Sequence, residues 1–139
     1  MAAIRQRYRG GKPVSDELKQ KADSLIETMK KDRGYIYPEW EFAARSDPAF
    51  VEAYNNLYRA ALNDGQALSA KTREFIAIGI LSYRGEVNAV TAHVLRAMRL
   101  GATKQEILEA VETSLIPGGA PTFFNGLSGI LKAIDAAKQ

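Results

Sequence analysis

The stretch that most constrains this chain is Phe75-Ile76-Ala77-Ile78-Gly79-Ile80-Leu81, its longest unbroken apolar run. Ser69 stands six residues upstream as a fitting N-cap, so the run belongs to a helix over 69–83. Such a helix is apolar all round and implies neighbours packed against most of its surface. Seven residues are far too few to span a bilayer. The chain therefore calls for a helical bundle around this segment.

The flanking sequence supplies helices of the right kind. Residues 15–32 carry Leu18, Ala22, Leu25, Ile26 and Met29 at helical spacing behind Ser15 as N-cap, and Arg33-Gly34 ends them. Residues 35–46 are aromatic-rich and contain Pro38, which reads as a loop or a short helical turn. Asp47-Pro48 then starts a helix that Asn63-Asp64-Gly65 stops after Leu62. Beyond the Arg84-Gly85 break a helix runs over 86–100 to Gly101. Thr103 and Glu106 form a capping box that opens a helix through Leu115. Pro117-Gly118-Gly119-Ala120-Pro121 reads as a rigid loop, and 122–137 as the last helix. No β-hairpin signal or internal repeat is visible, so the expectation is all-α, with about six helices.

With 139 residues, one helical domain over 15–139 is expected behind a basic arm at 1–14. That arm holds Arg5, Arg7, Arg9 and Lys12 without an acidic neighbour, yet no aromatic stacking set or nucleic-acid motif accompanies it. Neither a nucleic-acid nor a membrane partner is expected. The chain has no cysteine, which excludes disulfides and thiolate nucleophiles and fits a reducing compartment. The N-terminus shows no apolar signal region, so a cytoplasmic location is expected.

One histidine is present, His93. Glu86, Ala89, Val90, His93 and Ala97 share a stripe at 100° per residue, with small Ala89 leaving a notch between Glu86 and His93. On the preceding helix Glu74 shares a face with Ala77, Ile78 and Leu81, where a carboxylate is costly to bury without a partner. If the two helices form an antiparallel hairpin across Arg84-Gly85, Glu74 and His93 lie at similar height and can meet. A single imidazole beside carboxylates is a unit for proton transfer. The same residues also suit plainer roles, a hydrogen-bonded core histidine and a glutamate at a helix N-terminus. Arg96, three residues after His93, is the first candidate to hold an acidic substrate. Tyr83 and Phe123 are candidates to line an apolar pocket, with Phe124 and Trp40 near them in character. Gly118 and Gly119 offer backbone N–H groups to an anion, or simply join two helices. No His pair at metal-ligand spacing occurs, and no metal or other cofactor is expected.

Three segments carry a resemblance: L-S-A-K-T-R-E-F-I at 68–76, A-H-V-L-R-A-M-R-L-G-A-T-K-Q-E-I-L-E-A at 92–110, and G-G-A-P at 118–121. Together they resemble the carboxymuconolactone decarboxylase and alkyl hydroperoxidase D superfamily. The resemblance implies an all-helical fold, assembly as a homotrimer or hexamer, and sites near subunit interfaces. In the hydroperoxidase branch a glutamate and a histidine match Glu74 and His93, whereas the two cysteines fall at Glu86 and Ala89. Dithiol peroxidase chemistry is therefore not expected. The decarboxylase branch carries a glutamate at the position of Ala89, which this chain lacks.

The resemblance thus implies an enzyme acting on a small carboxylated lactone or related ring-cleavage acid. His93 with Glu74 or Glu86 would move the proton, and Arg96 or an interface arginine would hold the carboxylate. One alternative is a non-catalytic or small-molecule-binding oligomer on the same scaffold. Another is a metal-dependent hydrolase or isomerase using Glu74, Glu86 and His93.

Overall fold

A computed structural model describes residues 15–139, and among them every regular element is helical. There are seven helices: α1 (Asp16–Arg33), α2 (Pro38–Ser46), α3 (Pro48–Leu62), α4 (Ala70–Tyr83), α5 (Val87–Arg99), α6 (Lys104–Gly118) and α7 (Ala120–Ala136). The basic arm at 1–14 lies outside the described residues. Contacts gather the described residues into two compact units, one ending at Leu57 and the other running over Tyr58–Gln139, with the boundary inside α3.

Two of these elements depart from the sequence reading, and proline is responsible for both departures. Pro38 begins α2 instead of interrupting it, since the first turn of a helix has no use for the N–H that proline lacks. Pro117 sits in the last turn of α6, so the expected loop over 117–121 shrinks to Gly119. Gly119 adopts φ 81°, a conformation that side-chain-bearing residues avoid, and the chain reverses there in one residue. With α2 added, the described residues hold seven helices where about six were expected.

In the first unit, Ala22, Leu25, Ile26 and Met29 bury one stripe of α1. That stripe packs with Ala44 of α2 and Val51 of α3, and Ile36, Trp40 and Ala43 cover the cluster. Trp40 stacks on Tyr54 with ring centroids 4.2 Å apart.

In the second unit, α4 and α5 form the hairpin and α6 and α7 complete the bundle. Its core is Ile78, Val90, Val94, Ala97, Ile107, Val111, Ile130 and Ala133. Two glycines of α7 permit its close approach. A Cβ at Gly126 would lie 2.3 Å from a Val111 methyl, and one at Gly129 would lie 2.3 Å from a Val90 methyl. The apolar run on α4 is less enclosed than its composition suggests. Ile78 is fully buried, but Ile76 is 51% and Ile80 56% exposed in the single chain.

Candidate functional site

The site begins with the hairpin. Ser69 Oγ accepts from Thr72 N and fixes the first turn of α4, while Asp64 Oδ1 accepts from Ala70 N at 2.8 Å. Arg73, one turn further, donates through Nη1 to the carbonyls of Ala60 and Ala61 at 2.7 and 2.8 Å. These are carbonyls in the last turn of α3, which have no intrahelical partners of their own. The end of α3 is thereby tied to the start of α4. The next residues, Leu62 and Asn63, come to lie beside the helix pair.

Glu74 follows Arg73 and is fully buried. Both of its oxygens are engaged by α5. Oε2 lies 2.5 Å from His93 Nδ1, and Oε1 accepts from Arg96 Nη1. Arg96 is itself 94% buried, being 6% exposed. Its guanidinium also donates to the Leu62 carbonyl at 3.2 Å and to Asn63 Oδ1 at 2.9 Å. The Tyr58 ring covers it, with its centroid 5.7 Å from Cζ. A buried guanidinium needs several acceptors around its planar fork, and the end of α3 provides them. A buried carboxylate needs a counter-charge and hydrogen bonds, and α5 provides both. His93 alone of the three remains in part accessible, with 20% of its side chain exposed.

The structure therefore brings together Glu74, His93 and Arg96 from the expected set. Glu86 stays apart. It is the exposed N-cap of α5, with φ −85° and ψ 64°, at the helix end about two turns from His93. Among the described residues no group of three His, Asp or Glu converges as a metal site, and the Glu74, Glu86, His93 ligand set required by a metal-dependent reading does not form.

The other candidates lie elsewhere. Tyr83 is 69% exposed and Gly118 half-buried, and both line a groove of about 710 Å³ between α4 and α6. Phe75, Ile76, Ile80 and Pro117 give that groove its apolar character. None of Glu74, His93 and Arg96 lines it. Phe123 packs against the core of the second unit and stands 6.4 Å from Phe124. Gly119 already donates its N–H to the Leu115 carbonyl at 2.7 Å, and the Gly118 carbonyl accepts from Thr122 Oγ1. The Gly-Gly step thus serves as a helix connection with its polar groups engaged. Sequence reasoning missed Asn63, Leu62 and Tyr58 as parts of the site. Their signal was the polar Asn63-Asp64-Gly65 stop immediately after an aromatic-bearing helix.

The profile of the Carboxymuconolactone decarboxylase family matches residues 48–130, more than half of the chain. An uncharacterized protein of Methanocaldococcus jannaschii is 27% identical over 66% of this chain and 85% of its own length. A second uncharacterized protein of that organism is 38% identical over 52% of this chain and 76% of its own length. Among solved structures, a Burkholderia xenovorans LB400 protein that bears the carboxymuconolactone decarboxylase name superposes with a TM-score of 0.74 at 21% identity. It covers 87% of this chain and 94% of its own. An apo carboxymuconolactone decarboxylase family protein from Legionella pneumophila gives a TM-score of 0.63 at 21% identity, over 87% and 97% of the two chains. At that identity the two structures speak for the fold alone.

Proposed function

The chain belongs to the carboxymuconolactone decarboxylase family, and from that premise we propose that it is a thiol-free lyase for a small carboxylated lactone or related ring-cleavage acid. The observation that carries this reading is the fully buried Glu74 hydrogen-bonded to a partly exposed His93. A lone imidazole held by a carboxylate is equipped to hand a proton to substrate and take it back. The bond from the ring carbon to the departing carboxylate breaks, and its electron pair enters the unsaturated lactone. Carbon dioxide leaves, and protonated His93 supplies the proton that the ring carbon takes up. Glu74 supports the imidazole throughout. The resemblance to the family's thiol-dependent branch ends at Ala89 and Glu86, where the dithiol would stand.

The cation for the substrate carboxylate must be one other than Arg96, whose guanidinium is occupied by Glu74, Leu62 and Asn63. An arginine of a neighbouring copy is the arrangement this reading favours, with the chain assembled as a homotrimer or hexamer. Tyr83 and Phe123 as substrate contacts, and Glu86 as a second proton-transfer carboxylate, belong to this reading only within such an assembly.

The test is a decarboxylation assay with 4-carboxymuconolactone, comparing wild type with His93→Gln. The expected result is turnover in the wild type and its loss in the variant with the oligomer intact. Full activity in His93→Gln would overturn the mechanism. An inactive wild type would instead move the weight to a binding role on the same scaffold.

A further inference from the structure

We propose that Arg96 is a positioning residue. By holding Glu74 Oε1, it keeps Oε2 as an acceptor for His93 Nδ1–H, so that Nε2 is the nitrogen that exchanges protons with substrate. The proposal rests on the reading of His93 as the proton-transfer group. It goes beyond that reading by assigning the atom and by giving Arg96 a role without substrate contact.

The argument starts from which groups can donate. Arg96 donates only, so Glu74 Oε1 must accept from it. Arg96 is a buried cation in contact with Oε1, and the carboxylate is the partner that balances its charge there. An ionised carboxylate has no proton to give, so at Oε2 it also accepts, and His93 Nδ1 must carry the hydrogen. The opposite edge of the ring, with Nε2, is then left for a substrate to meet, in keeping with the 20% of the side chain that remains exposed. In the neutral imidazole Nε2 has a lone pair, and in the imidazolium it has the transferable proton. Nδ1–H stays with Glu74 in both states.

Arg96 itself is fixed by groups outside the hairpin. Asn63 Oδ1 takes Nη2, the Leu62 carbonyl takes Nη1, and the Tyr58 ring lies against the guanidinium. The last turn of α3 and the residue that follows it therefore determine, through Arg96 and Glu74, which nitrogen of His93 is presented. This accounts for a buried arginine so close to the candidate proton donor. It also explains why a guanidinium three residues from His93 does not face the substrate.

The chain's single histidine makes the proposal directly testable. Long-range proton–nitrogen NMR on uniformly labelled full-length protein reads the protonation of each ring nitrogen without assignment ambiguity. In the wild type the hydrogen of the neutral ring is expected on Nδ1. A neutral form with the hydrogen on Nε2 would overturn the proposal.

In Arg96→Met the buried carboxylate loses its counter-charge. Taking up a proton removes that cost, and a carboxylic acid donates to Nδ1 instead of accepting from it. The expected result is therefore a neutral ring with its hydrogen moved to Nε2. A folded Arg96→Met protein with the wild-type pattern would refute the role of Arg96. Should that variant fail to fold, Asn63→Ala decides, because Asn63 is exposed and removing it frees one arm of Arg96. A detectable Nε2–H population is expected there, and an unchanged spectrum refutes the clamp. None of these readouts needs turnover, so a wrong substrate does not disguise itself as a wrong clamp. Where turnover is found, Arg96→Met is expected to lower kcat by about a hundredfold with KM nearly unchanged. An arginine that gripped substrate would raise KM instead.

Discussion

Glu74 is the residue around which the others are arranged, and its energetics follow from its burial. Its carboxylate is fully buried with a cation on one oxygen and an imidazole on the other. Such a pair adds little net stability relative to a well-packed apolar pair, since both charges were taken from water. Breaking it is another matter. Glu74→Ala leaves Arg96 buried without its counter-charge, and the expected loss is about 3–5 kcal/mol in urea unfolding. Glu74→Gln keeps the shape and one acceptor, so its loss is expected to be smaller. Equal destabilisation by the two substitutions would show that packing, not charge, dominates the position. The need for a partner was legible in the sequence, because a glutamate in the face of Ala77, Ile78 and Leu81 cannot be buried alone. The partner's full surroundings were not. Arg96 is satisfied by a carbonyl at the end of α3, and no pattern of side chains reveals where an orphan carbonyl will come to lie.

At the scale of elements, caps and periodicity placed the helices well where they act locally. The capping box of α6 is formed in both directions, with Glu106 N donating to Thr103 Oγ1 and Thr103 N donating to Glu106 Oε2. Lys71 Nζ adds an ion pair to Glu106 Oε1 at 2.8 Å, so α4 and the start of α6 are joined through one carboxylate. The Lys71 hydrogen bond, and after it the backbone N–H of Thr103, hold the Glu106 carboxyl below its ordinary value of 4.5. A group whose folded value lies below its unfolded one contributes stability above the unfolded value and loses it as pH falls through the folded value. The stability gap between wild type and Glu106→Gln is therefore expected to be full at neutral pH. It should close as pH falls below about 4.5, as read by thermal unfolding across that range. A gap that is constant with pH would mean that the carboxylate's charge contributes nothing. What periodicity could not supply is the behaviour of proline at helix ends. Pro38 and Pro117 look alike as breakers, yet one opens a helix and the other closes one, and only their place relative to the caps distinguishes them.

For the whole molecule the question is what covers α4. Its apolar run predicted a helix enclosed on most sides, but one chain encloses only the Ile78 side. Ile76, Ile80 and Tyr83 line the open groove with α6, and Ile116, next to the lining residue Pro117, is 84% exposed. Contiguous apolar surface of this kind marks an interaction site in a folded chain. The proposed homo-oligomer would cover it. A second copy seated on this face would remove Ile80 and Ile116 from water, at about 1.5–3 kcal/mol for each side chain fully buried. The expected outcome is a wild-type assembly of three or six chains in sedimentation velocity. Ile80→Lys together with Ile116→Lys should shift it to a smaller species with unchanged helical content. Both positions are exposed in the chain, so the substitutions leave the core intact. If the doubly substituted protein sediments as the wild type does, the face is not the contact. A wild type that sediments as one chain would refute the assembly itself, and with it the neighbouring copy's arginine that the proposed reading favours.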